Sequence, residues 1–342
     1  MNSSSFSIHA SVLSKFTLDN LKEKLSPFIY KASSEVSEFE VLSQLADSKF
    51  IYRHLEFDKT TFNGLFFEDS FLKTVRFKRG ISAGLIGAYA SFSEGTLLMD
   101  NSYLINQNNV LTSKVYTLQS DVQLPYLVSN NEVLHLLSPI ELLETKKILA
   151  HMKGDILVDG VQLGYFLFHA SLKASVSTIT VIEEDTSLIH FFEQQVLPHL
   201  GELASKIEII QGNFDEHVQN SNALHYFDAV ALLNHKTAEV GLQRLLMTQK
   251  TACEIGSKTP IYFLYQEELH GIIQQMCFWI SYLRLNEKSK EDSLALGKYP
   301  NSAVFFLYNQ LCEVIYAKKN PPQSTRSVFQ LISEVSNIKS IL

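Results

Sequence analysis

The sequence predicts an α/β protein: a mostly parallel sheet with helices on both faces, preceded by a mixed α+β N-terminal region. Short apolar, β-branched runs recur in the C-terminal half, "DILVD", "STITVIEED", "KIEIIQGN", "YFDAVALL" and "TPIYFLY". Helical or loop segments separate them, the alternation expected of βαβ units. The stretch just before them is punctuated as a helix, and the stretch before that has a different texture.

Taken in order, Phe16 to Leu45 sets Leu21, Leu25, Phe28 and Ile29 on one helical face, so a helical segment is expected there. From Phe50 to Leu127 come aromatic and β-branched runs broken by Asn, Gly, Asp and Ser, such as "FNGLFFEDSFLKTVRFKRG" and "SKVYTLQSDVQLPYL", which read as strands and hairpins. Lys73, Arg76, Lys78 and Arg79 then form the exposed face of one strand.

The boundary falls at the next helix. Ser138 can cap free amides, Pro139 suits the first helical position, Glu141 completes a capping-box spacing and Gly154 acts as a stop. Residues 1–137 are thus a helical, then hairpin-rich region, and residues 138–342 a second domain.

In that second domain "DILVD" is a buried strand, "GVQLG" a turn, "YFLFHASLKA" a helix, "STITVIEED" a second strand and "TSLIHFFEQQVLPHL" a second helix. Right-handed crossovers make the sheet parallel and Rossmann-like. "QQMCFWISYLRL", with Trp279, suits a buried helix. In the tail, Val328, Leu331, Ile332, Val335, Ile338 and Leu342 recur at helical spacing as a packing helix.

Composition narrows the function. The chain is 46% hydrophobic and 19% charged, within the globular range. Its net charge is -7, with 12 basic and 14 acidic residues before Ser138 and 17 and 22 after it, so neither half asks for a nucleic-acid backbone. Cys253, Cys277 and Cys312 lack paired spacing and read as reduced core thiols of a cytoplasmic protein. No export signal or membrane span is legible. The histidines are scattered without metal-ligand spacing, so no metal site is expected.

The turn after "DILVD" carries the chemistry. Gly160 and Gly164 let backbone approach a ligand, and Glu183 ends the second strand 19 positions after Gly164, where an acid can accept hydrogen bonds from ribose hydroxyls. Gln162 takes the place of a middle glycine. Each residue also has a plainer reading. The glycines can serve any tight strand-to-helix turn, Glu183 can be one of three solvated acids near a helix start, and Asn213 can be a turn residue or cap. His235 is either a base near the site mouth or an exposed loop residue.

The run "ILVDGVQLGYFLFHASLKASVSTITVIEEDTSLIHFFEQQVLPHLGELASKIEIIQGNFDEH" resembles the S-adenosylmethionine-binding half of class I methyltransferases, particularly the branch similar to spermidine synthases. The resemblance covers residues 139–265. It implies S-adenosylmethionine as cofactor, with Gly160, Gln162 and Gly164 passing its amino-acid part and Glu183 holding the ribose. Asn213 would reach the adenine, with Phe214 beside it, and the family also implies a homodimer.

The chain departs from the family in its acids. Val158 stands where many members carry an acid, Asp159 follows on the opposite strand face, and Asn213 replaces a common Asp. "LLNHKTAEV" follows the fourth strand in place of the acid used for aminopropyl transfer, and no run for base methylation occurs.

"GISAG", Gly80 to Gly84, also fits a nucleophile elbow around Ser82, but the basic run before it is unlike the buried strand an elbow needs. Three readings remain. They are an S-adenosylmethionine-dependent methyltransferase-like protein of unknown acceptor, a catalytically inactive binding or scaffolding protein on the same fold, and a serine hydrolase using Ser82.

Overall fold

A computed structural model describes residues 55–62, 68–77, 81–82, 84–94, 97–99, 104–105, 111–129, 132–220, 223–234, 238–266, 280, 283–284, 287–296 and 302–317. The helix expected over Phe16 to Leu45, the tail helix, Trp279, Cys277, Lys78, Arg79 and His235 lie outside these residues.

The elements begin with β1 (Leu55–Phe62), the short helix α1 (Ser70–Thr74), β2 (Ile81–Ser82), β3 (Leu85–Phe92), β4 (Leu97–Met99) and β5 (Leu104–Ile105). Next come β6 (Leu111–Leu118), β7 (Val122–Ser129), β8 (Glu132–Leu136), α2 (Pro139–His151), β9 (Gly154–Asp159), α3 (Tyr165–Leu172) and β10 (Val176–Glu183). Then follow α4 (Thr186–Gln195), β11 (Ile207–Gln211), α5 (Phe214–Asn220), β12 (Ala229–Leu232), α6 (Ala238–Glu254) and β13 (Ile261–Phe263). Helices α7 (Lys290–Leu296) and α8 (Ser302–Ala317) complete the described chain.

These elements fall into two compact units. One is made of Met1–Phe62, Ser93–Ser120 and Gln266–Leu342, the other of Asn63–Phe92 and Asp121–Tyr265. In the first, β1 runs parallel to β6, with Leu55 opposite Leu111, while β4 and β5 are antiparallel to β6. Helices α7 and α8 are joined by the buried Tyr308, whose hydroxyl donates to the Ser293 carbonyl at 2.8 Å. Cys312 in α8 is buried, and burial pushes its thiol up to about 12.

The second unit holds two sheets. An antiparallel sheet runs β2-β3-β7-β8. Strands β6 and β7, adjacent in sequence, belong to different sheets, so "SKVYTLQSDVQLPYL" forms two strands but no hairpin.

At Lys73 the expected exposed strand face is a correction, because Ser70–Thr74 is helical, and Arg76 follows it outside any strand. Asp69 caps that turn by accepting from the Leu72 amide at 3.2 Å, and Phe71 and Leu72 bury themselves. Local capping and two anchors override the β texture of the aromatic run. Cys253 is a second correction: it sits exposed in α6 instead of in the core.

The larger sheet is parallel throughout and ordered β11-β10-β9-β12-β13. Ile156, Leu157 and Val158 in β9, Ile179 and Val181 in β10, and Val230, Ala231 and Leu232 in β12 are all inaccessible to solvent. Strands buried on both faces account for the continuous apolar runs in the sequence, and the fold is α/β and Rossmann-like.

Helix α2 leads in as its punctuation requires. Ser138 Oγ accepts from the Glu141 amide at 3.1 Å, and the Ser138 amide donates back to the Glu141 carboxylate. The helix ends at His151, and Gly154 instead opens β9 with φ at 65°. A Cβ there would stand 1.9 Å from Asp228 Oδ2, so only glycine lets the starts of β9 and β12 meet.

Candidate functional site

Strands β10 and β11 extend the sheet to one side of β9, and β12 and β13 extend it to the other. The chain therefore reverses direction across the sheet between β9 and β12. In open α/β sheets that reversal leaves a crevice at the carboxyl ends of the strands, where ligands bind.

The turn at this edge is built from left-handed backbone. Gly160, Gln162 and Gly164 have φ of 84°, 50° and 79°. Added Cβ atoms show what the glycines do. At Gly160 one would lie 2.9 Å from the Asn234 Cβ, and at Gly164 one would lie 2.8 Å from Phe192 Cδ2. The first glycine lets the turn touch the chain leaving β12, and the second lets α3 start against α4. Gly164 caps α3 without a side-chain hydrogen bond, so backbone dipoles alone face the turn.

Glu183 lies beside this turn, buried at 2% exposure. One carboxylate oxygen accepts from the Val161 amide and the other from the Asp185 amide, each at 2.9 Å. The acid therefore clamps the β9 turn to the end of β10. Asn213 is held on the same edge, next to Gly212, whose amide donates to the Glu183 carbonyl at 3.0 Å. Its side-chain oxygen caps α5, accepting from the Asp215 and Glu216 amides at 3.0 and 3.2 Å. Phe214 is buried, with the Arg244 guanidinium 5.9 Å from its ring centre.

Gln162 reaches the other way. Its side-chain amide donates to the Leu233 carbonyl, just beyond β12. The Asn234 amide in turn donates to Asp159, so hydrogen bonds run in both directions between the end of β9 and the end of β12.

Beneath this edge is a charge cluster the sequence did not announce. Arg244 Nη1 contacts both Asp159 oxygens, at 2.7 and 2.9 Å, and its Nε donates to Asp215 Oδ1 at 3.2 Å. Burial pushes the Asp159 carboxyl up to about 7, against the opposing pull of Arg244. Burial also works to lower Arg244, but Asp159 and Asp215 outweigh it and hold the guanidinium above its ordinary value. The one available signal was that Asp159, one step past Val158, points away from it across the pleat. Its partner, 85 positions later on a helix, left no mark in the sequence.

Ser82 is paired antiparallel with Leu85 and Ile81 with Ile86, so Ile81 and Ser82 of "GISAG" belong to a β-hairpin. A nucleophile elbow needs a strand followed by a helix, and β2 is followed by β3. Among the described residues, no group of three His, Cys, Asp or Glu side chains is gathered as a metal ion would require. Among the same residues, no helix is long and apolar enough to cross a membrane.

Fold and edge together define an α/β protein of the Rossmann-like class, with a glycine turn, a buried acid and an amide cap converging at the carboxyl ends of neighbouring strands. Comparison with protein-family models and with curated proteins finds no match for the chain.

Proposed function

We propose that the second unit is a class I methyltransferase-like domain that binds an adenosine-containing cofactor, S-adenosylmethionine, at the carboxyl edge of β9 and β10. The observation that carries this reading is the pairing of the left-handed Gly160 and Gly164 turn with Glu183 at the end of the adjacent strand. Each Glu183 oxygen accepts one amide and retains a second lone pair, so the carboxylate can also take ribose hydroxyls. The uncapped start of α3 leaves backbone donors toward the turn.

Such a cofactor supplies an electrophilic methyl group when bound. The chain's own part is to orient it and to exclude water from the acceptor, which raises the rate through proximity and desolvation without a strong base. The acceptor is unassigned. The reading also carries a small-molecule ligand, no nucleic-acid partner, a homodimer and a cytoplasmic setting.

A specific observation favours a second reading, a catalytically inactive binding or scaffolding protein. Gln162 bonds to Leu233, and Arg244 holds Asp159, so polar groups around the crevice are already engaged within the fold.

Isothermal titration calorimetry with S-adenosylmethionine and S-adenosylhomocysteine separates the two. Binding near 1 μM, about 8 kcal/mol, is expected for a cofactor site. Glu183→Gln is the informative variant, since Glu183→Ala would also release the Val161 and Asp185 amides. Absence of heat and of thermal shift at millimolar cofactor would sink the first reading and leave the second.

A further inference from the structure

The run "DSFLKTVRF", Asp69 to Phe77, lies outside the βα units of the parallel sheet, yet its side chains sort as those of a packed segment do. Asp69, Phe71, Leu72, Val75 and Phe77 are buried, and Lys73, Thr74 and Arg76 are exposed. Three of the buried groups meet the two helices that start at the ligand edge: α3, which leaves the glycine turn, and α4, which follows Glu183. Asp69 Oδ2 accepts from the hydroxyl of Tyr165, the first residue of α3, at 2.8 Å. Phe71 sits edge-on to Tyr165 and Phe168, with ring centres 5.3 and 5.4 Å apart. Phe77 sits edge-on to Phe191 of α4, with ring centres 4.9 Å apart.

The other side of Phe77 is held by β3. Its amide donates to the Tyr89 hydroxyl at 2.9 Å, and a Cβ at Gly87 would stand 2.9 Å from the Phe77 Cβ. The segment is therefore fixed on the antiparallel sheet at one end and on α3 at the other, with α4 against Phe77.

We propose that Asp69–Phe77 is a positioning brace for the ligand turn: it ties α3 and α4 to the antiparallel sheet and so sets the spacing between the Gly160–Gly164 turn and Glu183. The inference rests on the cofactor-binding reading, and it adds positioning residues, Asp69, Phe71 and Phe77, that act through Tyr165, Phe168 and Phe191. Such a brace works by preorganisation. A turn that samples other conformations lowers the ligand's apparent affinity by the fraction of molecules that keep the binding one.

Two mild substitutions test it. Tyr165→Phe removes the hydroxyl alone, and Phe77→Leu keeps an apolar side chain but loses the edge contact with Phe191. The first measurement needs no ligand. The Gly160 amide donates to the Ile182 carbonyl, the Val161 amide to Glu183 and the Gly164 amide to the Val161 carbonyl, so hydrogen exchange at these three reads the turn. Exchange about fivefold faster there in both variants, with the β12 amides unchanged, is the expected result, the equivalent of one hydrogen bond. Unchanged turn amides, or turn and β12 amides speeding up together, would reduce the segment to core packing and overturn the brace.

Titration with S-adenosylhomocysteine reads the consequence for binding. Both variants, shown to be folded by circular dichroism, should bind about fivefold more weakly than the natural chain, a loss that core packing alone does not produce in a folded protein. Equal affinity in all three would overturn the brace and leave the cofactor reading intact. Binding by none would overturn the cofactor reading, and exchange of the turn amides would still decide whether the segment positions the turn.

Discussion

The Tyr165 hydroxyl donates to Asp69 Oδ2 at 2.8 Å, across 96 positions of sequence. The same carboxylate meets Lys146 Nζ and His169 Nε2, each at 3.1 Å, and is 1% exposed. Asp69 thereby fastens α1 to both α2 and α3. A buried carboxylate is tolerated there because donors surround it.

Removing the carboxylate leaves those donors unsatisfied. Asp69→Ala should cost about 3–5 kcal/mol of stability, the range for breaking one partner of a buried ionic cluster. Tyr165→Phe should cost only about 1 kcal/mol, since Asp69 keeps its other donors. Urea unfolding measures both, and equal losses in the two variants would contradict the assignment of Asp69 as the shared acceptor.

Acid should act through the same residue. Burial works to raise the Asp69 carboxyl, but His169, the Tyr165 hydroxyl and the Leu72 amide outweigh it and hold it well below its ordinary value of 3.8. A carboxyl lowered on folding contributes stability that is fully present above about pH 4 and is lost as pH falls further. The stability gap between the natural chain and Asp69→Asn should therefore narrow from pH 7 to pH 3. A constant gap would mean that Asp69 is not the titrating group.

Asp159 carries the opposite sign. Its folded value of about 7 lies above its ordinary 3.8, so folding takes up a proton and ionisation opposes folding as pH rises between the two. Arg244 offsets that cost. Arg244→Met should destabilise the fold more at pH 8 than at pH 5, by up to about 1.4 kcal/mol, since pH 8 lies about one unit above the folded value of Asp159. Denaturation at the two pH values tests this, and an equal deficit at both would show that lost packing, not lost charge, is responsible.

Lys206 closes the far end of α3. Its ammonium donates to the carbonyls of Ser171, Lys173 and Val176 at 3.1, 3.0 and 2.9 Å. Lys206→Met retains the apolar stem and removes the donors, and should cost about 1–3 kcal/mol. Amide exchange across residues 170–176 should rise with it. An unchanged exchange pattern would mean water replaces the ammonium without loss.

The parallel sheet was legible because its inner strands β9, β10 and β12 are short runs largely buried on both faces, and such burial leaves a continuous apolar signature. The α2 cap was legible for a related reason: Ser138, Pro139 and Glu141 act within one turn. Asn213 carried two readings, and its side-chain oxygen caps α5. The short helix after Asp69 was not legible, because aromatic spacing there fits a strand as well as a turn of helix. Its anchors, Tyr165 and His169, lie about a hundred positions away.

The sequence by itself determined the parallel order of alternating strands and helices, the glycine turn after β9 and the acid at the end of β10, since each follows from chemistry within a few residues. Only the tertiary structure decided what those groups touch: Glu183 on two amides, Gln162 on Leu233, and Asp159 on Arg244. Hydrophobic periodicity is a local property and can be read along the chain. A hydrogen bond is short and directional, so its partner is chosen only when folding brings distant segments within 3 Å or so of each other.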